Sequence, residues 1–322
     1  MGKNILILSA GRRVSLVNAF KKEAEKRKCG IKVFTADMAP DTAPACILSE
    51  ATFRLPAAED KTYRHELLQL CVEKDIGLVV PTIDPELSPL AAIKTPFFDL
   101  GINVIISESS FIRDCRDKRR TPTLFHQMGI DSPQIFGNTD AKFPCFAKPY
   151  DGSASHNTRI ISSQEELYSE KRKDEKLIFM EYISDDSFVE YSVDVYCDRN
   201  NEIKCVVPRK RLQVRGGEVS KSITEHNAIY SRILNNKYLD GAVGCLTIQV
   251  FWNEKDNQIL GIEVNPRFGG GFPLTYNSGA NYPGWLIDEY LFDKKINFYE
   301  NWKRDLLMLR YDEEVFVDES PS

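Results

Sequence analysis

Short apolar runs alternate with amphipathic stretches through the first hundred residues. Residues 3–8 form an apolar run that ends in the small residues Ser9, Ala10 and Gly11. Over 13–28 the apolar positions Val14, Val17, Phe20 and Ala24 recur at the spacing of one helix face. Residues 31–36 read as a second strand. Residues 63–74 read as a helix with Leu67, Leu68, Cys71 and Val72 turned inward. A buried strand over 78–81, a helix over 87–98 and a strand over 104–107 complete the series. This alternation predicts an α/β, Rossmann-like unit: a parallel sheet with helices on both faces.

The pattern changes near residue 112. A charged stretch, 113–120, opens a predicted helix running to about Met128. Strands over 144–149, 158–161 and 177–182 follow, with a charged helix over 164–173 among them. Beyond Phe188 the pattern turns to strands, over 189–196, 203–212, 246–252 and 259–264, with one helix over 225–237. That order predicts an α+β region after the α/β unit. There is no internal repeat and no low-complexity linker, so the lobes should pack together. The last residues, 320–322, are expected to fray.

Composition narrows the class. With 322 residues the chain is long enough for two or three lobes. It is 42% hydrophobic and 28% charged, as globular proteins are. A net charge of -5 argues against a dedicated nucleic-acid binder. No apolar run approaches the ~18 residues of a membrane span, and 3–13 does not read as a signal peptide. The eight cysteines include no C-x-x-C pair, and the four histidines have no metal-ligand spacing. Reduced thiols and a cytoplasmic location are the expectation.

The chemistry concentrates in four places. Glu263-Val264-Asn265-Pro266-Arg267-Phe268-Gly269-Gly270-Gly271 closes an apolar strand. Glu263 and Asn265 leave the same strand face and could offer oxygens to a hard cation such as magnesium. Arg267 continues the alternation toward a phosphate. A solvated strand end before a glycine-rich turn would account for the same run. Gln249, a polar residue within Ile248–Phe251, could supply a third oxygen if the two strands pair; otherwise it faces solvent at an edge. Lys148 ends an apolar strand before the small-residue loop 151–157, and this is not a P-loop. Glu181, Tyr182 and Ile183 follow a strand and could form an adenine hinge. Glu190, Ser192 and Asp194 share a strand face, where Glu190 could accept from a ribose hydroxyl; Ser192 and Asp194 read better as half-exposed strand positions. Finally, Arg209, Lys210 and Arg211, with Arg215 beyond, could neutralise a phosphate or could be surface charge.

In this order and spacing the four pieces resemble the ATP-grasp superfamily, most nearly the single-module ligases similar to the large subunit of carbamoyl-phosphate synthase. The resemblance runs from Ser9–Val17 through 81–86, Asp117-Lys118, Lys148, 209–211 and 217–221 to 263–271. It implies a pre-ATP-grasp α/β domain over 1–112 and a two-lobed ATP-grasp domain over 113–183 and 184–322. It implies Lys118 and Lys148 as phosphate contacts, with Arg267, Lys148 and Arg211 in the chemistry. The backbone amides of Ser153, Ala154 and Ser155 would meet phosphate; Glu181, Tyr182 and Ile183 would meet adenine, and Glu190 ribose. Gln249, Glu263 and Asn265 would hold Mg2+, or Mn2+. The loop 151–157 departs from the family in having little glycine and no Lys-Gly pair.

The implied reaction joins a small carboxylate to an amine through an acyl-phosphate, with release of ADP and phosphate. No nucleic acid or membrane takes part, and a homodimer is compatible. The alternatives are phosphorylation of bicarbonate or carbamate, which the synthase performs with two modules, and a nucleotide-binding regulatory protein without turnover. A dinucleotide-dependent dehydrogenase is excluded because Ser9–Arg13 contains no G-x-G-x-x-G. Gly11, Arg12 and Arg13 open a predicted helix and could bind a substrate anion, or could be an ordinary polar first turn.

Overall fold

The computed structural model describes residues 2–137, 139–152, 157–184 and 186–318. The expected phosphate-binding amides of Ser153, Ala154 and Ser155 lie outside these residues, as does 320–322.

The N-terminal unit is a five-stranded parallel sheet of order β3-β2-β1-β4-β5. Its elements are β1 (Asn4–Leu8), α1 (Val14–Lys26), β2 (Val33–Asp37), α2 (Pro44–Ile47), β3 (Thr52–Arg54), α3 (Tyr63–Glu73), β4 (Ile76–Val80), α4 (Asp84–Asp99) and β5 (Asn103–Val104). Strands β1 and β4 are buried along their whole length, as a sheet covered on both faces requires. The order reverses direction at β1, so the crevice beyond the C-terminal ends of β1 and β4 is the switch point where such sheets bind ligands.

Two helices, α5 (Ser109–Arg116) and α6 (Thr121–Gln127), lead to a four-stranded antiparallel sheet of order β6-β9-β7-β8. Its strands are β6 (Ile135–Phe136), β7 (Cys145–Pro149), β8 (Arg159–Ile161) and β9 (Leu177–Glu181), with α7 (Gln164–Lys173) before the last. The third sheet is antiparallel, of order β14-β13-β10-β11-β12-β15. It contains β10 (Val189–Cys197), β11 (Ile203–Arg215), β12 (Glu218–Thr224), β13 (Gly244–Asn253), β14 (Gln258–Asn265) and β15 (Leu307–Leu309), with helices α8 (Ala228–Leu234), α9 (Phe272–Asn277) and α10 (Tyr282–Leu291).

The first and third units share one core. Phe20 of α1 meets Phe268 edge to face at 6.0 Å, and Arg27 pairs with Asp288 of α10 at 2.6 Å. The middle sheet has its own small core of Phe136, Cys145, Ala147, Ile161, Leu167, Leu177 and Phe179. No described helix is long and apolar enough to cross a membrane.

Four local expectations are corrected. The helix expected over 113–128 is two helices. Asp117 is extended and its carboxylate accepts the Arg119 backbone N–H at 3.0 Å, a local bond that competes with helix, while Pro122 favours a fresh start. On α3, Val72 is 60% exposed and the buried positions are Tyr63, Leu67, Leu70 and Cys71, which follow the i, i+4, i+7, i+8 stripe. The helix expected over 225–237 contracts to Ala228–Leu234, because the Asn227 side chain caps it by accepting from Ile229. The segment after Arg215 is not a loop but a hairpin. Gly216 and Gly217 have φ of 58° and 78°, as a two-residue primed turn demands, and β12 returns along β11.

Candidate active site

Antiparallel pairing of β13 with β14 sets Gln249 opposite Glu263 and Thr247 opposite Asn265. On the other side of β13, Ser192 of β10 faces Gln249, and Arg209 of β11 faces Ser192. The strand registers alone therefore carry the predicted metal residues and the basic strand onto one sheet face. They line a cavity of about 800 Å³ together with Lys118, Lys148, Glu181, Tyr182, Ile183, Glu190, Arg211 and Arg267. Thus the predicted site residues that are described share one cavity wall, apart from Asn265, which reaches it through its bonds to Glu263 and Arg267. The N-terminal sheet also contributes, through Arg13 and Thr82–Pro85.

The metal candidates form a tight group. Gln249 Nε2 donates to Glu263 Oε1 at 2.8 Å, and Asn265 Nδ2 donates to the same oxygen at 3.0 Å. Arg211 Nη1 donates to Gln249 Oε1 at 3.1 Å, and Arg267 Nη2 donates to Asn265 Oδ1 at 3.2 Å. No cluster of three His, Cys, Asp or Glu side chains exists among the described residues, and this group holds a single carboxylate. Three oxygen-bearing side chains within hydrogen-bond reach nonetheless suit a hard cation. To receive one, each amide would flip so that its oxygen rather than its nitrogen faces Glu263.

The cations differ in how they are held. Lys148 is 7% exposed and makes no hydrogen bond or ion pair among the described residues. Burial pulls its pKa down to about 8, with Glu263 opposing and Lys118 assisting. Lys118 donates to the Gly152 carbonyl, while its own backbone N–H bonds Tyr150 O at 2.9 Å, so it braces the start of the loop after Lys148. Arg267 pairs with Asp84 at 2.7 Å. Burial depresses its pKa, but the Asp84 carboxylate outweighs this, and the net direction is upward. Its Nε is buried with no acceptor.

Some roles shift from expectation. The Glu181 backbone N–H is not free, since it donates to Gln134 O at 2.8 Å, and the Glu181 carboxylate accepts from Gln134 N at 3.3 Å. Strand β9 is still in its ladder at this residue. Glu190 is engaged by Arg211 at 2.9 Å. Asp194, expected as a half-exposed strand position, is completely buried, and Ser192 is buried at the cavity wall, because β10 lies in the interior of the sheet. Arg209 holds Asp194 in a fork, Nε to Oδ2 and Nη2 to Oδ1, both at 2.9 Å; Thr247 and Thr275 donate to the same carboxylate at 2.8 and 2.5 Å.

Two functional candidates, Asp84 and Glu218, were not singled out by sequence reasoning. Asp84 was read only within a motif, and its meeting with Arg267, 183 residues away, has no local signature. Glu218, paired with Arg310, lines the cavity too. Gly271 is required by packing: a Cβ there would lie 2.2 Å from Arg209 Nη1.

Residues 5–105 match the family described as PylC-like, N-terminal domain, and residues 173–308 match the family described as ATP-grasp in the biosynthetic pathway with Ter operon. No curated protein matches the chain. Among solved structures, the biotin carboxylase domain of Hydrogenobacter thermophilus 2-oxoglutarate carboxylase is 17% identical, with 95% of this chain and 73% of that one covered and a TM-score of 0.73. An L-amino acid ligase from Bacillus licheniformis is 20% identical over 90% and 74%, with a TM-score of 0.66. N5-carboxyaminoimidazole synthetase from Staphylococcus aureus is 15% identical over 94% and 79%, with a TM-score of 0.69. The predicted α/β unit followed by antiparallel sheets is the fold observed, and these solved structures share it.

Proposed function

We propose, from the premise of an ATP-grasp fold, that this chain is an ATP- and magnesium-dependent carboxylate–amine ligase. The carrying observation is that a buried, unpaired Lys148, the Gln249–Glu263–Asn265 group and Arg267 converge on one cavity lined from all three sheets. An isolated buried ammonium is costly, so a site that keeps one is built for an anion. The Hydrogenobacter structure holds MgADP, ADP and bicarbonate; transferred here, the Lys118–Lys148 end takes the phosphates and the segment 181–183 takes the adenine. Read as domains, 1–112 is the pre-ATP-grasp unit, and 113–183 and 184–322 are the lobes that close on the nucleotide.

Gln249, Glu263 and Asn265 would hold the magnesium, which when bound neutralises phosphate charge. Everything else is positioning and electrostatics. A substrate carboxylate oxygen attacks the γ-phosphorus, the bond to ADP breaks, and an acyl-phosphate forms. Buried Lys148 and half-buried Arg267 would lie where charge accumulates in that transfer, and low local polarity magnifies their effect. An amine nitrogen then attacks the acyl carbon, phosphate leaves with the C–O bond pair, and the nitrogen gives up a proton. Arg211, bridging Glu190 and Gln249, ties the ribose end to the metal end.

The test is incubation with ATP, Mg2+ and pools of carboxylates and amines, with phosphate and ADP release measured beside Asn265→Ala. Substrate-dependent release that vanishes in the variant supports the ligase. ATP binding with no release above the variant from any pool sinks it.

A further inference from the structure

Contacts order the cavity wall from one end to the other: Lys148 neighbours Lys118 and Glu263, Asn265 bridges Glu263 to Arg267, Arg267 pairs with Asp84, and Arg13 neighbours Arg267, Asp84 and Glu218. The far end lies over the switch point of the parallel sheet, where β1 and β4 finish and where open α/β sheets bind ligands. Arg13 stands there, at the entry to α1.

Charges around this end are matched except for one. Asp84 is taken by Arg267 at 2.7 Å, and Glu218 by Arg310 at 2.6 Å. The Arg13 side chain makes no hydrogen bond or ion pair among the described residues. Burial, with help from neighbouring Arg267, lowers its pKa to about 10 against the opposing Glu218 and Asp84. Two more guanidinium nitrogens of the same cavity, Arg267 Nε and Arg209 Nη1, are buried without an acceptor. Gly271 packs directly against Arg209 Nη1, where a Cβ would lie at 2.2 Å. A half-buried guanidinium that stays charged and unpaired at a cavity wall, beside Arg267, is a site for a planar anion.

We infer that Arg13 of the N-terminal domain anchors a free carboxylate on the amine substrate, so that the acceptor is an amino acid rather than a simple amine. This rests on the ligase reading. The direction of attack supports it. The nucleotide occupies the Lys148 end and the activated carboxylate lies beside Arg267. The nucleophile must therefore approach from the side away from ADP, which is the Arg13 end. A carboxylate held there points the amine of the same small molecule back toward Arg267 and Asp84. Arg13 is a positioning residue in this scheme.

The experiment compares each of the common L-amino acids with its C-terminal amide, on wild-type protein, Arg13→Gln and Arg13→Lys. Two readouts are used: thermal shift with MgADP present, and phosphate release with ATP and a carboxylate pool. The inference expects wild type to respond to one or a few acids and not to their amides. It expects a KM for the responding acid at least 30-fold higher in Arg13→Gln and partly restored in Arg13→Lys, with ADP affinity within about twofold throughout. An amide that serves as well as its acid overturns it, and so does an unchanged KM in Arg13→Gln. If no pool turns over, the ligase reading falls while the thermal shift still decides. A shift by an acid, lost in Arg13→Gln, supports the anchor; equal shifts by acid and amide, or none by any acid, overturn it.

Discussion

Buried charge is handled in opposite ways in two regions of this molecule. In the interior of the six-stranded sheet, Asp194 and Arg209 are 0% and 1% exposed, and every lone-pair direction of the carboxylate is met by the guanidinium or by Thr247 and Thr275. In the cavity, Lys148 is 7% exposed and Arg13 is half-buried, and neither side chain has a bonding partner among the described residues. A charge matched within the protein belongs to the fold; a charge left unmatched at a cavity wall belongs to a ligand.

The strongest way to break this comparison is Asp194→Ala. It leaves Arg209 charged, buried and unpaired, and should lower unfolding stability by about 3–5 kcal/mol in urea titrations. A loss below ~1 kcal/mol would mean the pair is not structural. The cavity counterpart is Lys148→Met. Turnover should fall by a factor of ~100 or more, equivalent to about 3 kcal/mol, while stability should hold or rise, since an apolar chain replaces an unpaired charge. Reduced stability with intact turnover would reverse the assignment.

The pH dependence sharpens the same point. The folded pKa of Lys148, about 8, lies below the ordinary 10.5. Below pH 8 both states bind the proton and the native state bears the whole desolvation cost. Between 8 and 10.5 the unfolded chain binds more protons, so this group makes stability rise with pH, by roughly 3 kcal/mol at most. The stability difference between wild type and Lys148→Met should shrink across that window; a constant difference would contradict the depressed pKa. Glu190→Ala, which removes a carboxylate already shared with Arg211, should weaken ATP binding about tenfold, or 1.4 kcal/mol, in calorimetric titration. The smallest effect is Val72→Thr. At a 60% exposed position it should change stability by less than about 0.5 kcal/mol.

Much of this was legible in the sequence because it is periodic. Alternating apolar runs identified the parallel sheet, and the two-residue spacing of Glu263 and Asn265 put them on one strand face, with Arg267 just beyond the strand end. The glycine-rich run after them read as a turn; that Gly271 packs against Arg209 Nη1 has no signature in the sequence. Where a local bond competed with a periodic pattern the reading failed, as at Asp117, whose side chain ends one helix before the next begins.

What sequence alone determined here is therefore local: element type, strand face and the inventory of charged side chains, all set by repeat distances within a few residues. Only the tertiary structure decided which charges are spent on one another. Arg209 and Asp194 are 15 residues apart and Arg267 and Asp84 are 183 apart, and each pairing follows from strand register or from the docking of the N-terminal sheet against the third unit. Desolvation depends on everything that surrounds a side chain, and one-dimensional spacing carries no record of that. The same lysine or arginine is a solvated surface charge or a buried anion site according to how the sheets close around it.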